Sequence, residues 1–271
     1  MESGEALRIE MRFSMNHDLK YDLSSFREDL KELSVSLTGE QEEQFLSFYE
    51  LLVEWNSFMN LTAITEFDEV MKKHFVDSLT LVKAVPALLD PASASIGNLP
   101  GKLSLIDVGT GAGFPGIPLK IAFPELEVTL LDSLQKRVGF LNEVISRLSL
   151  TGITAVHGRA EDFARPGRLR ESFDICVSRA VANLSTLSEY CIPFVKKGGC
   201  FVSYKGSDVE EEAASAREAV RILGGEEPRV FSFFLPGSDM GRNLYLIRKK
   251  APTPGRYPRK AGLPAKEPIH G

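Results

Sequence analysis

Asp107-Val-Gly109-Thr-Gly111-Ala-Gly113-Phe114-Pro115-Gly116 follows directly on the apolar run Leu103-Ser-Leu-Ile-Asp-Val and joins it to a helical pattern through a turn of glycines. Glycine suits such a junction because it accepts φ > 0 and lets a ligand approach the backbone, while a proline fits a first helical turn. The run contains GxGxxG at Gly111, Gly113 and Gly116, which also fits a dinucleotide. The acid distinguishes the readings. A carboxylate at Asp107, where the strand ends, would repel a pyrophosphate and attract the cationic amino-acid end of S-adenosylmethionine. The expectation is a methyl-donor site, with NAD or FAD, or a purely structural turn, as the alternatives.

Outward from this turn, strands and helices alternate. The pattern predicts strands over Val128–Leu131, Ile153–His157, Phe173–Val177 and Gly199–Tyr204, with helices near Pro115–Ala122, Lys136–Leu148, Asn183–Phe194 and Asp208–Leu223. The third strand is followed by what reads as a loop, beginning Gly158-Arg-Ala160-Glu161-Asp162. Arg229–Leu235 and Asn243–Lys249 have only a turn between them and should be antiparallel. The fold class is therefore α/β: a doubly wound, Rossmann-like class I methyltransferase sheet, mostly parallel with one antiparallel strand.

Five regions are expected: a weakly patterned extension over 1–21, with Met11 or Met15 as possible alternative starts; a helical subdomain over 22–90, forming a cap; a linker over 91–101; the donor-binding domain over 102–250; and a basic, Pro-rich tail over 251–271. In the helical region Thr38-Gly-Glu-Gln41 has the form of a capping box, followed by an apolar stripe from Phe45 to Met59. A second helix is expected from Asp68 through Leu81. The tail cluster Arg248, Lys249, Lys250, Arg256, Arg259, Lys260 and Lys266, with Glu267 as its only acid, reads as an extended segment able to track phosphates.

With 271 residues, 43% hydrophobic, 25% charged and a net charge of −5, the chain suits an ordinary core and is not basic overall. It has no stretch of membrane-spanning length, and Met1–Glu10 lacks the apolar core of a signal peptide, so a cytoplasmic location is expected. Cys176, Cys191 and Cys200 show neither disulfide nor zinc spacing and read as small buried hydrophobes; no metal is expected.

Four strand ends deliver chemistry to one cleft. Besides Asp107 and the glycines, Asp132 stands where a ribose-hydroxyl partner belongs, unless it merely faces a helix dipole. Ala160 and Glu161 suit an adenine, unless that acidic loop is simply exposed. The fourth strand ends Ser178-Arg179 and carries neither a Pro-Pro-aromatic element nor a Pro-Cys nucleophile, and no Lys-Asp-Lys-Glu set is visible. A ring nitrogen with a free lone pair, such as guanine N7, needs no general base, and positioning with desolvation would suffice.

Trp55-Asn56, Asn60-Leu61-Thr62, His74-Phe75, Asp77-Ser78-Leu79, the glycine turn to Pro118, Leu131-Asp132-Ser133, Lys136-Arg137, Ser178-Arg179-Ala180, Lys205-Gly206 and Tyr257–Pro264 occur in order. In these motifs, from Phe45 to Ile269, the chain resembles the bacterial 16S rRNA guanine-N7 methyltransferases, also called glucose-inhibited division protein B. The resemblance implies S-adenosylmethionine as cofactor, N7 of one guanosine in the decoding-region loop as target, and 16S rRNA, the small subunit or its assembly intermediate as partner. It implies donor contacts at Gly109, Phe114, Ala160, Glu161 and Arg179, joined by Asp107, Gly111, Gly113 and Asp132 from the residue reading. Arg179, Lys205 and His74 with Asp77 are expected to position the substrate; Lys136, Arg137, Lys205, Arg256, Arg259 and Lys260 are expected at RNA. A monomer is expected. The rivals are a donor-dependent methyltransferase for another RNA position or small molecule, and an assembly factor that keeps the pocket without turnover.

Overall fold

Side-chain alternation builds the sheet. In the computed structural model, which describes residues 20–90, 102–179, 182–206 and 210–269, the glycine turn is preceded by strand β1 (Ser104–Val108). Parallel partners follow: β2 (Glu127–Asp132), β3 (Ile153–His157), β4 (Phe173–Arg179) and β5 (Val195–Lys205). β6 (Arg229–Phe234) and β7 (Gly241–Arg248) complete a seven-stranded sheet of order β3-β2-β1-β4-β5-β7-β6, with β7 antiparallel to both neighbours. Because successive strand residues point to opposite faces, Leu105, Ile175, Val177, Val202, Leu244 and Leu246 enter one core cluster, while Ile106, Cys176, Phe201, Tyr245 and Ile247 enter another. The chain reverses direction across the sheet between β1 and β4, and that crevice is where an open α/β sheet takes its ligand.

The N-terminal helices α1 (Ser24–Glu32) and α2 (Gly39–Met59) have no core of their own. Phe45, Phe48 and Leu52 of α2, all at 0% exposure, share the first cluster with the sheet, each contributing about 1.5–3 kcal/mol by burial. The capping box forms, with Gln41 N donating to Thr38 Oγ1 at 3.3 Å and Thr38 N to Gln41 Oε1 at 2.8 Å. The same Gln41 amide donates through Nε2 to Ile121 O at 2.7 Å, so one side chain starts α2 and ties it to the end of α6 (Gly116–Ala122). Helix α7 (Gln135–Arg147) adds Phe140, Leu141 and Val144 to the first cluster, and α10 (Glu210–Ile222) adds Ala216, Ala219 and Val220 to the second. No described helix is long and apolar enough to cross a membrane.

The structure corrects three expectations. The helix expected over 68–81 is interrupted: α3 (Phe67–Val70) passes into a π-helical stretch, Met71–Val76, and returns as α4 (Asp77–Leu79) before α5 (Leu81–Ala84). A π stretch turns side chains off the 3.6-residue period, so apolar spacing does not reveal it. The loop expected after β3 opens with one helical turn, α8 (Ala160–Phe163), whose first turn carries Glu161 and Asp162 against the helix dipole. The tail expected to be extended packs against the body instead: Pro264 is buried within a short helix, α11 (Leu263–Lys266), and Thr253 is 5% exposed. Its prolines lower the chain entropy that docking costs. The expected linker over 91–101 and the N-terminal extension up to residue 19 lie outside the described residues, as does Ala180 of the Ser178-Arg179-Ala180 motif.

Candidate active site

The glycine turn is held by two buried carboxylates. Gly109, Gly111 and Gly113 take φ values of 72°, 62° and 92°, open to glycine and costly for other residues. Asp107 Oδ2 accepts from Thr110 Oγ1 at 2.7 Å and Gly116 N at 2.9 Å; its Oδ1 is buried without a protein partner. Burial pushes the Asp107 carboxyl up to about 6, against the opposing pull of those two hydrogen bonds. Asp132, expected at a ribose, is 3% exposed and engages the turn itself. Its Oδ2 accepts from Gly111 N and its Oδ1 from Leu134 N, both at 2.9 Å, and Arg137 stands 3.5 Å away. Arg137, expected at RNA, is thereby drawn toward Asp132, while Lys136 is exposed.

Beside the turn lies a cavity of 320 Å³, with Val108, Gly109, Leu131, Ser133, Leu134, Gly158, Ala160, Glu161, Tyr190 and Gly262 in its walls. Of the residues expected at the donor, Gly109, Ala160 and Glu161 line this cavity, and Phe114 and Arg179 do not. Its chemistry fits S-adenosylmethionine, with apolar walls for an adenine and a carboxylate at Glu161; in the adjoining turn a Cβ at Gly111 would meet nothing within 4 Å, and Asp107 keeps one buried oxygen without a partner for a cationic group. Tyr190, on α9 (Leu184–Cys191), and Gly262 were missed by sequence reasoning. Gly262 carried a signal, since it lies within the Tyr257–Pro264 motif.

A second cavity, of 350 Å³, opens between the π stretch, β4, β5 and β7, lined by Lys73, His74, Asp77, Thr80, Arg179, Tyr204, Lys205, Gly206, Arg242, Asn243 and Leu244. Asp77 bridges two guanidiniums, accepting from Arg179 at 3.0 Å and Arg242 at 2.7 Å. Arg179 also lies over the Phe114 ring, 5.1 Å from its centroid, and His74 stacks on the same ring at 4.6 Å. Phe114 therefore supports the groups facing this second cavity. Arg179 Nη2 donates to His74 Nδ1 at 3.3 Å, which assigns the ring proton to Nε2, facing Thr62 Oγ1 at 2.8 Å. Burial, with the Arg179 charge, pushes His74 down to about 4. Lys205 pairs with Glu212 at 2.7 Å and donates to Ala182 O. Arg242, Tyr204 and Asn243 carry no sequence motif, and only the antiparallel return of β7 brings Arg242 and Asn243 here.

Several expected groups lie elsewhere. Arg259, expected at RNA, is committed to Glu189 at 2.6 Å, whereas Arg256 and Lys260 are exposed. Lys249 is buried against Glu171 and Ile192 O. The three cysteines are free and buried, and burial pushes the Cys200 thiol up to about 12 and Cys176 upward as well. Neither Cys176 nor Cys200 offers a thiolate.

A mostly parallel sheet of this order with an antiparallel β7, and an acid and glycine turn after its first strand beside a cavity, defines a class I S-adenosylmethionine-dependent methyltransferase. The family described as rRNA small subunit methyltransferase G matches residues 41–238. Relatives named ribosomal RNA small subunit methyltransferase G include one from Lachnoclostridium phytofermentans, 52% identical over 248 residues, covering 92% of this chain and 98% of that one. Another, from Desulforamulus reducens, is 48% identical over 245 residues, covering 90% and 97%. A third, from Acetivibrio thermocellus, is 50% identical over 235 residues, covering 87% and 91%. The chain belongs to the rRNA small subunit methyltransferase G family.

Proposed function

We infer that the protein transfers the methyl group of S-adenosylmethionine to N7 of a guanosine in the decoding-region loop of 16S rRNA. The observation that carries the choice of a ring nitrogen is that the second cavity holds cations but no free base: Asp77 is tied to two arginines, and both His74 nitrogens are engaged. Guanine N7 presents a lone pair at neutral pH, so no proton must leave before attack. When bound, S-adenosylmethionine supplies an electrophilic sulfonium methyl. The chain's residues then orient and desolvate: Gly109, Ala160 and Glu161 hold the donor, and Asp107 balances its cationic end. Arg179, fixed by Asp77 and Phe114, presents charge to the RNA, and Lys73, Lys205 and Arg242 steer phosphate toward the cavity. Exposed Lys136, Arg256 and Lys260 extend that contact along the backbone.

Isotope-labelled methyl transfer to naked rRNA, an assembly intermediate and finished subunits tests this reading and ranks the substrates. Transfer to none of the three would exclude it and favour a non-catalytic assembly factor. A cytoplasmic monomer goes with the same reading, since the substrate is ribosomal; sedimentation at working concentration checks the monomer, and a dimer would overturn it.

A further inference from the structure

The end of the chain supplies part of the donor cavity. Gly262 lines it, and its N–H donates to Glu161 Oε1 at 2.9 Å, so the carboxylate delivered by α8 is fixed on one oxygen by the C-terminal segment. Two anchors hold that segment down. Arg170, between α8 and β4, donates to the carbonyls of Thr253 and Tyr257. Glu189 of α9, only 1% exposed, accepts from Arg259 through its backbone N–H at 2.7 Å and through Nε and Nη2. Glu189 is adjacent to Tyr190, which lines the same cavity, so one turn of α9 serves both the tail and the donor wall. Truncating one partner of such a pair leaves a buried charge uncompensated, which makes docking steeply dependent on Arg259.

We propose that the segment from Arg259 to Gly262 is a wall of the donor site, and that the Glu189–Arg259 pair is a positioning element setting donor affinity through Glu161. The inference rests on the donor-site reading above. Linkage makes the effect reciprocal: bound donor stabilises the docked tail.

The test is calorimetric titration of S-adenosylmethionine and its demethylated product into the full chain, wild type against Arg259→Gln, with Lys31→Gln, exposed on α1, as control and thermal melts to verify folding. Arg259→Gln should lose roughly 5- to 150-fold in donor affinity, the usual span of coupling between sites, and Lys31→Gln should lose none. In the wild type, donor should also slow tryptic cleavage after exposed Lys260. Equal affinity in folded Arg259→Gln overturns the proposal. If that variant does not fold, protection of Lys260 decides alone: slower cleavage supports the proposal, unchanged cleavage overturns it. Failure of the wild type to bind donor overturns the donor-site reading and this inference with it.

Discussion

Replacing Asp107 by asparagine perturbs the donor site with little change of shape. The wild-type carboxyl ionises near 3.8 when exposed in the unfolded chain and is pushed up to about 6 by burial in the fold. Between those values the folded state binds more protons than the unfolded state. The stability Asp107 contributes is therefore complete below pH 3.8 and is lost as pH rises through about 6. About two units at about 1.36 kcal/mol each give a loss of ~3 kcal/mol. The amide side chain of the Asp107→Asn variant keeps a carbonyl oxygen for Thr110 and Gly116 and carries no charge, but places an NH2 where Oδ1 has no partner, at a cost of about 1–3 kcal/mol. That cost does not depend on pH, so the comparison rests on slope. Urea unfolding of both proteins from about pH 4 to pH 7 should show wild type losing ~3 kcal/mol relative to the variant. Donor affinity of the wild type should fall as Asp107 takes up its proton, and that of Asp107→Asn should be low and flat. Parallel stability curves across this range would refute the assignment of a buried, uncompensated carboxylate.

Gly111→Val should fold but lose donor binding, because a β-branched residue resists φ 62° and its side chain grows into the open space beside the turn; calorimetry with a thermal melt checks both halves. The triple change of Cys176, Cys191 and Cys200 to serine should cost stability, since three buried thiols become hydroxyls, while turnover per folded molecule survives. Complete loss of turnover in a well-folded triple variant would contradict a reaction without a thiol nucleophile. At saturating donor, the pH profile of kcat/KM for RNA should show no limb that His74→Gln removes, because His74 is held down to about 4 and stays neutral. A limb near pH 6.5 that vanishes in His74→Gln would make His74 the proton acceptor that its hydrogen bonds exclude.

The parts of this molecule written in local sequence were legible. The Asp107–Gly116 turn, the Thr38–Gln41 capping box and strand β3 depend on residues a few positions apart, and each forms where its signal lies. Partners chosen across the fold were not legible. Asp132 stands at the expected strand end, yet its oxygens face Gly111 and Leu134 because the turn folds back over β2. Arg259 looked like one free cation among several until α9 placed the buried Glu189 beside it. The π stretch that carries His74 has the composition of an ordinary amphipathic helix, so its changed hydrogen-bond register leaves no mark in the residue pattern. Arg242 reaches Asp77 across 165 positions of sequence, a separation at which no spacing rule operates.

Methyl transfer to a ring nitrogen of guanosine leaves a chemical mark that transfer to an exocyclic or ribose position does not. N7-methylguanosine alone among the ordinary methylated guanosines becomes labile to borohydride reduction followed by aniline, which breaks the chain at that nucleotide. Small-subunit rRNA methylated by the purified protein, treated in this way and mapped by primer extension, should show one new break, at a guanosine in the decoding-region loop. Incorporation of labelled methyl without any aniline-sensitive break, or a break outside that loop, would contradict the account.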